Sequence, residues 1–230
     1  METKENKNEK TQVYNVIILD RSGSMDVIRR AAVDGFNETL AGIKKAQEEY
    51  GDTQEHFVSL VTFCSCLMKQ VYDKTPVFEA KPLKISDYEP CCCTPLYDAM
   101  GFTISGIRKD IKGNEKAVVV VTIITDGYEN ASKEYSGYAI KQLVEQLKRE
   151  GWTFTYMGAN QDALEVASTL SIRNAVNFDF SDEGTIHAMR KDSKVRHRLF
   201  GRLSKTCFSK SSFSTLADEA FDEDDDLRKQ

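Results

Sequence analysis

Nine consecutive residues, Ala117 to Thr125 (AVVVVTIIT), are apolar except for two threonines. β-Branched residues without alternation of apolar and polar belong to a strand covered on both faces, as in the middle of a parallel sheet. Parallel neighbours need crossover connections, usually helices. This one run therefore demands a sheet with helices packed on either side of it.

The rest of the chain supplies those parts. Tyr14 to Leu19 (YNVIIL) is a short apolar run ending at Asp20 and reads as a buried strand. After an RSGSM turn, Ile28, Ala32, Phe36, Leu40 and Ile43 recur at steps of four, four, four and three, one face of a helix closed by Gly51 and Asp52. His56 to Phe63 reads as a second buried strand. Leu67 to Tyr72 follows a tight turn, so it pairs with the second strand antiparallel. Thr75 to Pro90 is an irregular connection. A helix runs from Leu96 to Ile111, with Leu96, Met100, Ile104, Ile107 and Ile111 on one side, and the Lys112-Gly113-Asn114 turn ends it. Ile140, Leu143, Val144 and Leu147 mark the next helix. Trp152 to Met157 is a strand with Trp152 in the core, Asp162 to Leu170 a helix, and Ala175 to Phe180 a last strand, with a helix after Ser181.

This alternation predicts an α/β fold: three layers, with an open, mostly parallel sheet, one antiparallel edge strand and helices on both faces. At 230 residues it is one domain of generous size, large enough to bury a core without staples. Residues 1–12 read as a flexible polar tail, 13–203 as the domain, and 204–230 as a Ser-rich and acidic tail. From His187 to Lys210 there are eight Lys/Arg and a single acid, Asp192. From Asp218 to Asp226 there are seven acids. Such runs read as solvated or disordered, and the acids could also screen the basic segment or a cation site.

Charge and composition exclude several classes. With 31 Lys+Arg against 36 Asp+Glu, the net charge of −5 argues against a nucleic-acid partner. The apolar runs fall far short of the ~20 residues that span a membrane. The opening METKENKNEKTQ has no apolar core for a secretion signal, so the cytoplasm is the expected compartment. The six cysteines, Cys64, Cys66, Cys91, Cys92, Cys93 and Cys207, are then expected as free thiols, mostly small buried residues. There is no CxxC pair and no zinc spacing, and His56, His187 and His197 show no ligand spacing.

In open α/β sheets, ligands bind outside the carboxyl ends of the strands, where strand order reverses. Three segments lie there: Asp20-Arg21-Ser22-Gly23-Ser24 after the first strand, Thr94 before a helix, and Asp126 in ITDG after the apolar strand. Gly23 is expected to permit the sharp path that brings Ser22 and Ser24 to one spot. Hydroxyls and carboxylates are hard oxygen donors that select Mg2+, Mn2+ or Ca2+ over zinc or copper. Asp98 and Glu129 are expected to serve helix or loop hydrogen bonds, and Asp26 to favour the start of the next helix.

DRSGSM after an apolar strand, TPLYDA before a helix and ITDG after a second apolar strand resemble the metal-ion-dependent adhesion site of the von Willebrand factor A (VWA) domain, the fold of integrin I domains. The resemblance covers Val13 to Phe180, and TDGYENAS and GWTFTYMGANQDA look like its bacterial intracellular branch. It implies a Mg2+ or Mn2+ site formed by Asp20, Ser22, Ser24, Thr94 and Asp126. Ser22 and Ser24 would be direct ligands, Thr94 direct or water-linked by affinity state, and Asp20 and Asp126 largely water-linked. The last position would be left for an Asp or Glu of a protein partner. Family members often carry a glycine or small polar residue before the threonine, whereas this chain carries Cys91, Cys92 and Cys93. A sharper reading of these cysteines is a redox or soft-metal element. A disulfide would then link them to Cys64 and Cys66, and oxidation would distort the Thr94 loop.

The expected function is a cation-dependent protein-binding module, not an enzyme. A metal-dependent phosphohydrolase is the alternative, but an aspartate nucleophile would want a second carboxylate where Ser22 stands. No GxxxxGK[ST] or GxSxG occurs. A third reading is an assembly protein in which the metal only orders the loops.

Overall fold

The computed structural model describes residues 10–159, 162–205 and 209–223. Its strands are β1 (Thr11–Asp20), β2 (Gln54–Cys64), β3 (Leu67–Pro76), β4 (Ala117–Thr125), β5 (Trp152–Ala159) and β6 (Asn174–Phe178). Its α-helices are α1 (Arg29–Tyr50), α2 (Leu96–Asp110), α3 (Gly137–Lys148), α4 (Ala163–Thr169), α5 (Asp182–Leu203) and α6 (Lys210–Asp222). The strands form one sheet in the order β3-β2-β1-β4-β5-β6. Every pairing is parallel except β2 with β3, the antiparallel edge. The expected fold class is the observed one.

Period-two geometry sorts the core into two halves. Val13, Ile17 and Leu19 of β1, with Val118, Val120 and Ile124 of β4, pack with α1, α5 and α6. Tyr14, Val16 and Ile18, with Val119, Val121 and Ile123, pack with α2, α3 and α4. All nine residues of β4 are buried, which explains a run without polar alternation. The chain steps outward from β1 to β2 and β3, then returns to the other side of β1 for β4. Strand order therefore reverses between β1 and β4, and their carboxyl ends, Asp20 and Thr125, stand side by side at the reversal.

The ends of the chain depart from expectation. Thr11 and Gln12 are not tail. They pair with Gln54 and Glu55 of β2, and Gln12 with Ala117 of β4. His187 to Leu203 of the basic segment lie in α5, where Asp192 and Arg196 are buried as an ion pair of 2.8 Å. Arg196 also donates to Asn15 Oδ1 at 3.2 Å and Thr122 Oγ1 at 2.5 Å, fastening α5 to the sheet. Nor is the stretch expected as the Ser-rich and acidic tail all solvated. Ser209 caps α6 by accepting from Ser212 N, and Phe213, Ala217, Ala220 and Phe221 are buried. Those positions follow i, i+4, i+7, i+8, an apolar stripe that outweighs the local charge. Some acids do meet basic residues: Glu219 lies 3.5 Å from Arg202, and Asp222 3.1 Å from Arg173. Residues 1–9 and 224–230 of the expected tails, and Cys207, lie outside the described residues. Among the described residues no helix is long and apolar enough to cross a membrane.

Candidate metal centre

Asp20 ends β1 fully buried, and both of its carboxylate oxygens are engaged. Ser22 N donates to Oδ1 at 2.6 Å and Thr125 Oγ1 donates to Oδ2 at 2.6 Å. The first bond folds the chain back on itself and sets the Ser22 turn. The second ties the end of β1 to the end of β4. The backbone carbonyl of Asp20 accepts from the phenol of Tyr88, a buried residue of the connection after β3.

Ser22 precedes a 3-10 turn, Gly23–Ile28, that leads into α1. Its hydroxyl lies 3.3 Å from that of Ser24, and Ser24 Oγ donates to Asp126 Oδ1 at 2.9 Å. Three expected residues from two distant loops thus converge. Gly23 does not play the role expected of it. It is outside the left-handed region, and a Cβ there would make ordinary contact with the Cys92 carbonyl at 3.6 Å. The turn is set by the Asp20 bond and by Gly23 N donating to Cys92 O at 3.0 Å.

Thr94, 3% exposed, lies directly before α2. It is clamped by Asn130, whose Oδ1 accepts from Thr94 N at 2.9 Å and whose N donates to Thr94 O at 3.1 Å. Its hydroxyl stands 3.6 Å from where a Cβ on Gly127 would lie, beside the residue after Asp126. Asn130 and Tyr88 escape sequence reasoning. Each acts on backbone groups more than thirty residues away, and no local pattern signals that. Asp98 and Glu129 behave as expected. Asp98 accepts from the backbone of Lys133, Glu134 and Tyr135, and Glu129 from that of Tyr97, Ala131 and Ser132. Together they brace the β4–α3 loop against α2.

The electrostatics favour a cation. Burial pushes the Asp20 carboxyl up to about 6, against the pull of Thr125 and Ser22, and the neighbouring Asp126 adds to the rise. Burial also raises Asp126. Among the described residues Asp126 Oδ2 is buried with no hydrogen-bond partner. An unbonded buried carboxylate oxygen is costly unless something positive meets it. A hard divalent ion suits this set of oxygens, so the residues present fit the expected group.

The cysteines are not all free thiols, and a bridge joins the two clusters as the sharper reading expects. Cys66 and Cys92 are joined in a disulfide with Cα atoms 6.4 Å apart, linking the β2–β3 turn to the Thr94 loop. Of the described cysteines only Cys64 is fully buried. Ser22, Ser24 and Asp126 stand gathered beside the bridged loop.

A scan against protein-family models finds no match, and a search of curated proteins finds none. Solved structures of similar fold are found. A von Willebrand factor type A protein from Catenulispora acidiphila superposes with TM-score 0.59 at 16% identity, covering 82% of this chain and 43% of that one. Proximal thread matrix protein 1 from the mussel byssus, with a zinc-occupied MIDAS motif, gives 0.54 at 12% identity, covering 82% and 46%. Manganese-loaded TRAP protein of Plasmodium vivax gives 0.52 at 16% identity, covering 80% and 73%. The chain thus spans less than half of the first two. At these identities the likeness is one of fold, and that fold is the VWA fold.

Proposed function

We propose that this chain is a divalent-cation-dependent protein-binding module of VWA type, of the bacterial intracellular kind. Ser22, Ser24 and Thr94 would hold a Mg2+ or Mn2+, with Asp20 and Asp126 supplying charge largely through water. The carboxylate of an Asp or Glu on a protein partner would complete the ion's oxygen shell. The observation that carries this reading is the unbonded, buried Oδ2 of Asp126 beside the paired hydroxyls of Ser22 and Ser24. A carboxylate pair held in this way has a standing need for a cation. A cation met mainly by hydroxyls keeps positive charge to offer outward.

The surroundings suit a protein surface. Val27, on the turn that follows Ser24, is 71% exposed, and Tyr128, two residues after Asp126, is 57% exposed. An exposed aliphatic and an exposed aromatic flanking a charged anchor are the parts of a small interface. Binding is favoured over turnover because the place two residues after Asp20 holds Ser22. A hydroxyl at that place cannot serve as the second carboxylate of an aspartate-nucleophile pair. The proposed compartment is the cytoplasm, where thiols stay reduced.

The experiment is capture from lysate in Mg2+, in chelator, and with Asp20→Ala as bait. The proposal expects partners that are lost in chelator and lost by the variant. It also expects a captured partner to be released when its contacting Asp or Glu is changed to the amide. Partners retained equally in all conditions would contradict it. Metal-dependent turnover of a phosphoester would revive the enzyme reading.

A further inference from the structure

The Cys91–Cys93 loop is laced between two other segments. Cys91 N donates to Arg21 O at 2.8 Å and Ser65 N donates to Cys93 O at 2.9 Å. Cys93 N in turn donates to Ser65 Oγ at 3.1 Å. Cys92 sits in the left-handed region at φ 63, an uncommon state for a residue that is neither Gly nor Asn. This lacing brings the sulfurs together. Cys64 Sγ and Cys91 Sγ are 3.4 Å apart, and the sulfurs of Cys64, Cys91 and Cys92 all lie within 4.8 Å of one another. Cys66 is bonded to the third of them. Four sulfurs therefore share one place, although no two of their residues show CxxC spacing.

We propose that Cys64, Cys66, Cys91 and Cys92 form a second, sulfur-lined site for a borderline or soft cation of the Zn2+ class, with the Cys66–Cys92 disulfide as its oxidised, metal-free form. A tetrahedral zinc thiolate with bonds of about 2.3 Å has sulfur–sulfur edges of about 3.8 Å. The Cys64–Cys91 separation is close to that edge, and the Cys92 sulfur lies within 4.8 Å of both. A filling role for small residues does not account for the cluster, because Cys66 and Cys92 are exposed. The Arg21 guanidinium, held by the Glu89 carbonyl, interacts with Cys91 and offsets part of the negative charge of a four-thiolate centre. The oxygen site selects a hard ion and the sulfur site a softer one, so the two differ in ligand chemistry although Thr94 lies only two residues beyond Cys92.

The chemistry balances. A dithiol reductant opens the bridge, passing two electrons and two protons to the sulfurs of Cys66 and Cys92 and itself becoming a disulfide. A Zn2+ ion then binds the four thiols and releases their four protons. In the reverse direction a small-molecule disulfide takes two electrons from the Cys66 and Cys92 thiolates, leaves as two thiols after gaining two protons from water, and the loss of two ligands expels the metal.

The test uses the full chain, reduced with a phosphine that is then removed, and Co2+ as the spectroscopic probe. With excess Mg2+ present to fill the oxygen site, the expected result is one Co2+ per chain, with a thiolate-to-cobalt charge-transfer band and the visible bands of a tetrahedral ion, both erased by Zn2+. Cys64→Ser, Cys91→Ser and Cys92→Ser should each weaken binding tenfold or more, while Cys93→Ser and Cys207→Ser leave it unchanged. In the same samples Zn2+ should protect four thiols from alkylation, read by mass spectrometry, which holds even where a variant folds poorly. No thiolate band in the reduced chain would overturn the proposal. So would a band that survives Cys64→Ser with Cys91→Ser, or one competed away by Mg2+. Failure here leaves the hard-ion reading standing, because Mg2+ and Mn2+ do not report on thiolates.

Discussion

Ser24 Oγ donates to Asp126 Oδ1 at 2.9 Å, across 102 residues of chain. The other oxygen of the same carboxylate is buried and unbonded among the described residues. Asp126→Asn keeps a bond for Ser24 and removes the charge. Without metal the variant should unfold no earlier than the wild type, because burial disfavours the ionised form at this position. Mg2+ at a hundredfold excess over its Kd should stabilise the wild type by about 2.7 kcal/mol and the variant hardly at all. Thermal unfolding with and without Mg2+ checks both halves.

Asn130 holds both backbone groups of Thr94. Asn130→Ala should leave the fold intact and weaken metal binding roughly tenfold, the lower end of what loss of an orienting partner costs. Calorimetry with Mn2+ reads this directly. Unchanged affinity would show that Thr94 needs no clamp.

Much of this architecture is legible in the sequence. A run such as AVVVVTIIT has one home in a small α/β protein, and Asp20, Ser22, Ser24 and Asp126 lie where the buried strands end, while Thr94 precedes a helix. What is not legible is set by distant contacts. Tyr88 and Asn130 act on backbone groups far along the chain, and Gly23 proved replaceable because Asp20, not glycine, shapes its turn. Helix α6 was hidden because Phe213, Leu216, Ala217, Ala220 and Phe221 carry its stripe among serines and acids, so composition reads as tail while periodicity reads as helix. Arg196 was similarly obscured: as one base among eight it reads as solvated, but it is the one that pairs with Asp192 beneath the sheet.

That pair has its own consequence. Arg196→Ala leaves Asp192 buried without its cation, and breaking a buried pair in this way costs about 3–5 kcal/mol. Denaturant unfolding of the variant should show a loss of this size. An exposed pair such as Arg190 with Glu38, 2.9 Å apart, should contribute under about 1 kcal/mol by the same assay.

His56 packs edge-on against Phe200 and lies near Gln54 and Asn15. Burial, reinforced by the Arg196 charge, lowers its pKa from the ordinary 6.5 to about 3. Between those values the unfolded chain takes up a proton that the folded chain refuses, so the His56 contribution rises with pH. It is complete above pH 6.5 and is lost as pH falls toward 3, with a slope of at most about 1.4 kcal/mol per pH unit. Asp20, whose pKa is raised to about 6, slopes the other way in part of this window. His56→Gln retains Asp20, so the difference between wild type and variant isolates the histidine. The variant should lose less stability on acidification; parallel curves would contradict this.

Ser22, Ser24, Thr94, Asp20 and Asp126 are proposed to gather around one hard cation. Electron paramagnetic resonance of Mn2+ with the full chain measures it most directly. One Mn2+ per chain should bind and be displaced by Mg2+, and none should bind in a folded variant carrying Ser22→Ala and Ser24→Ala. A wild-type chain that leaves all Mn2+ free, or a double variant that binds it equally well, would rule out this metal centre.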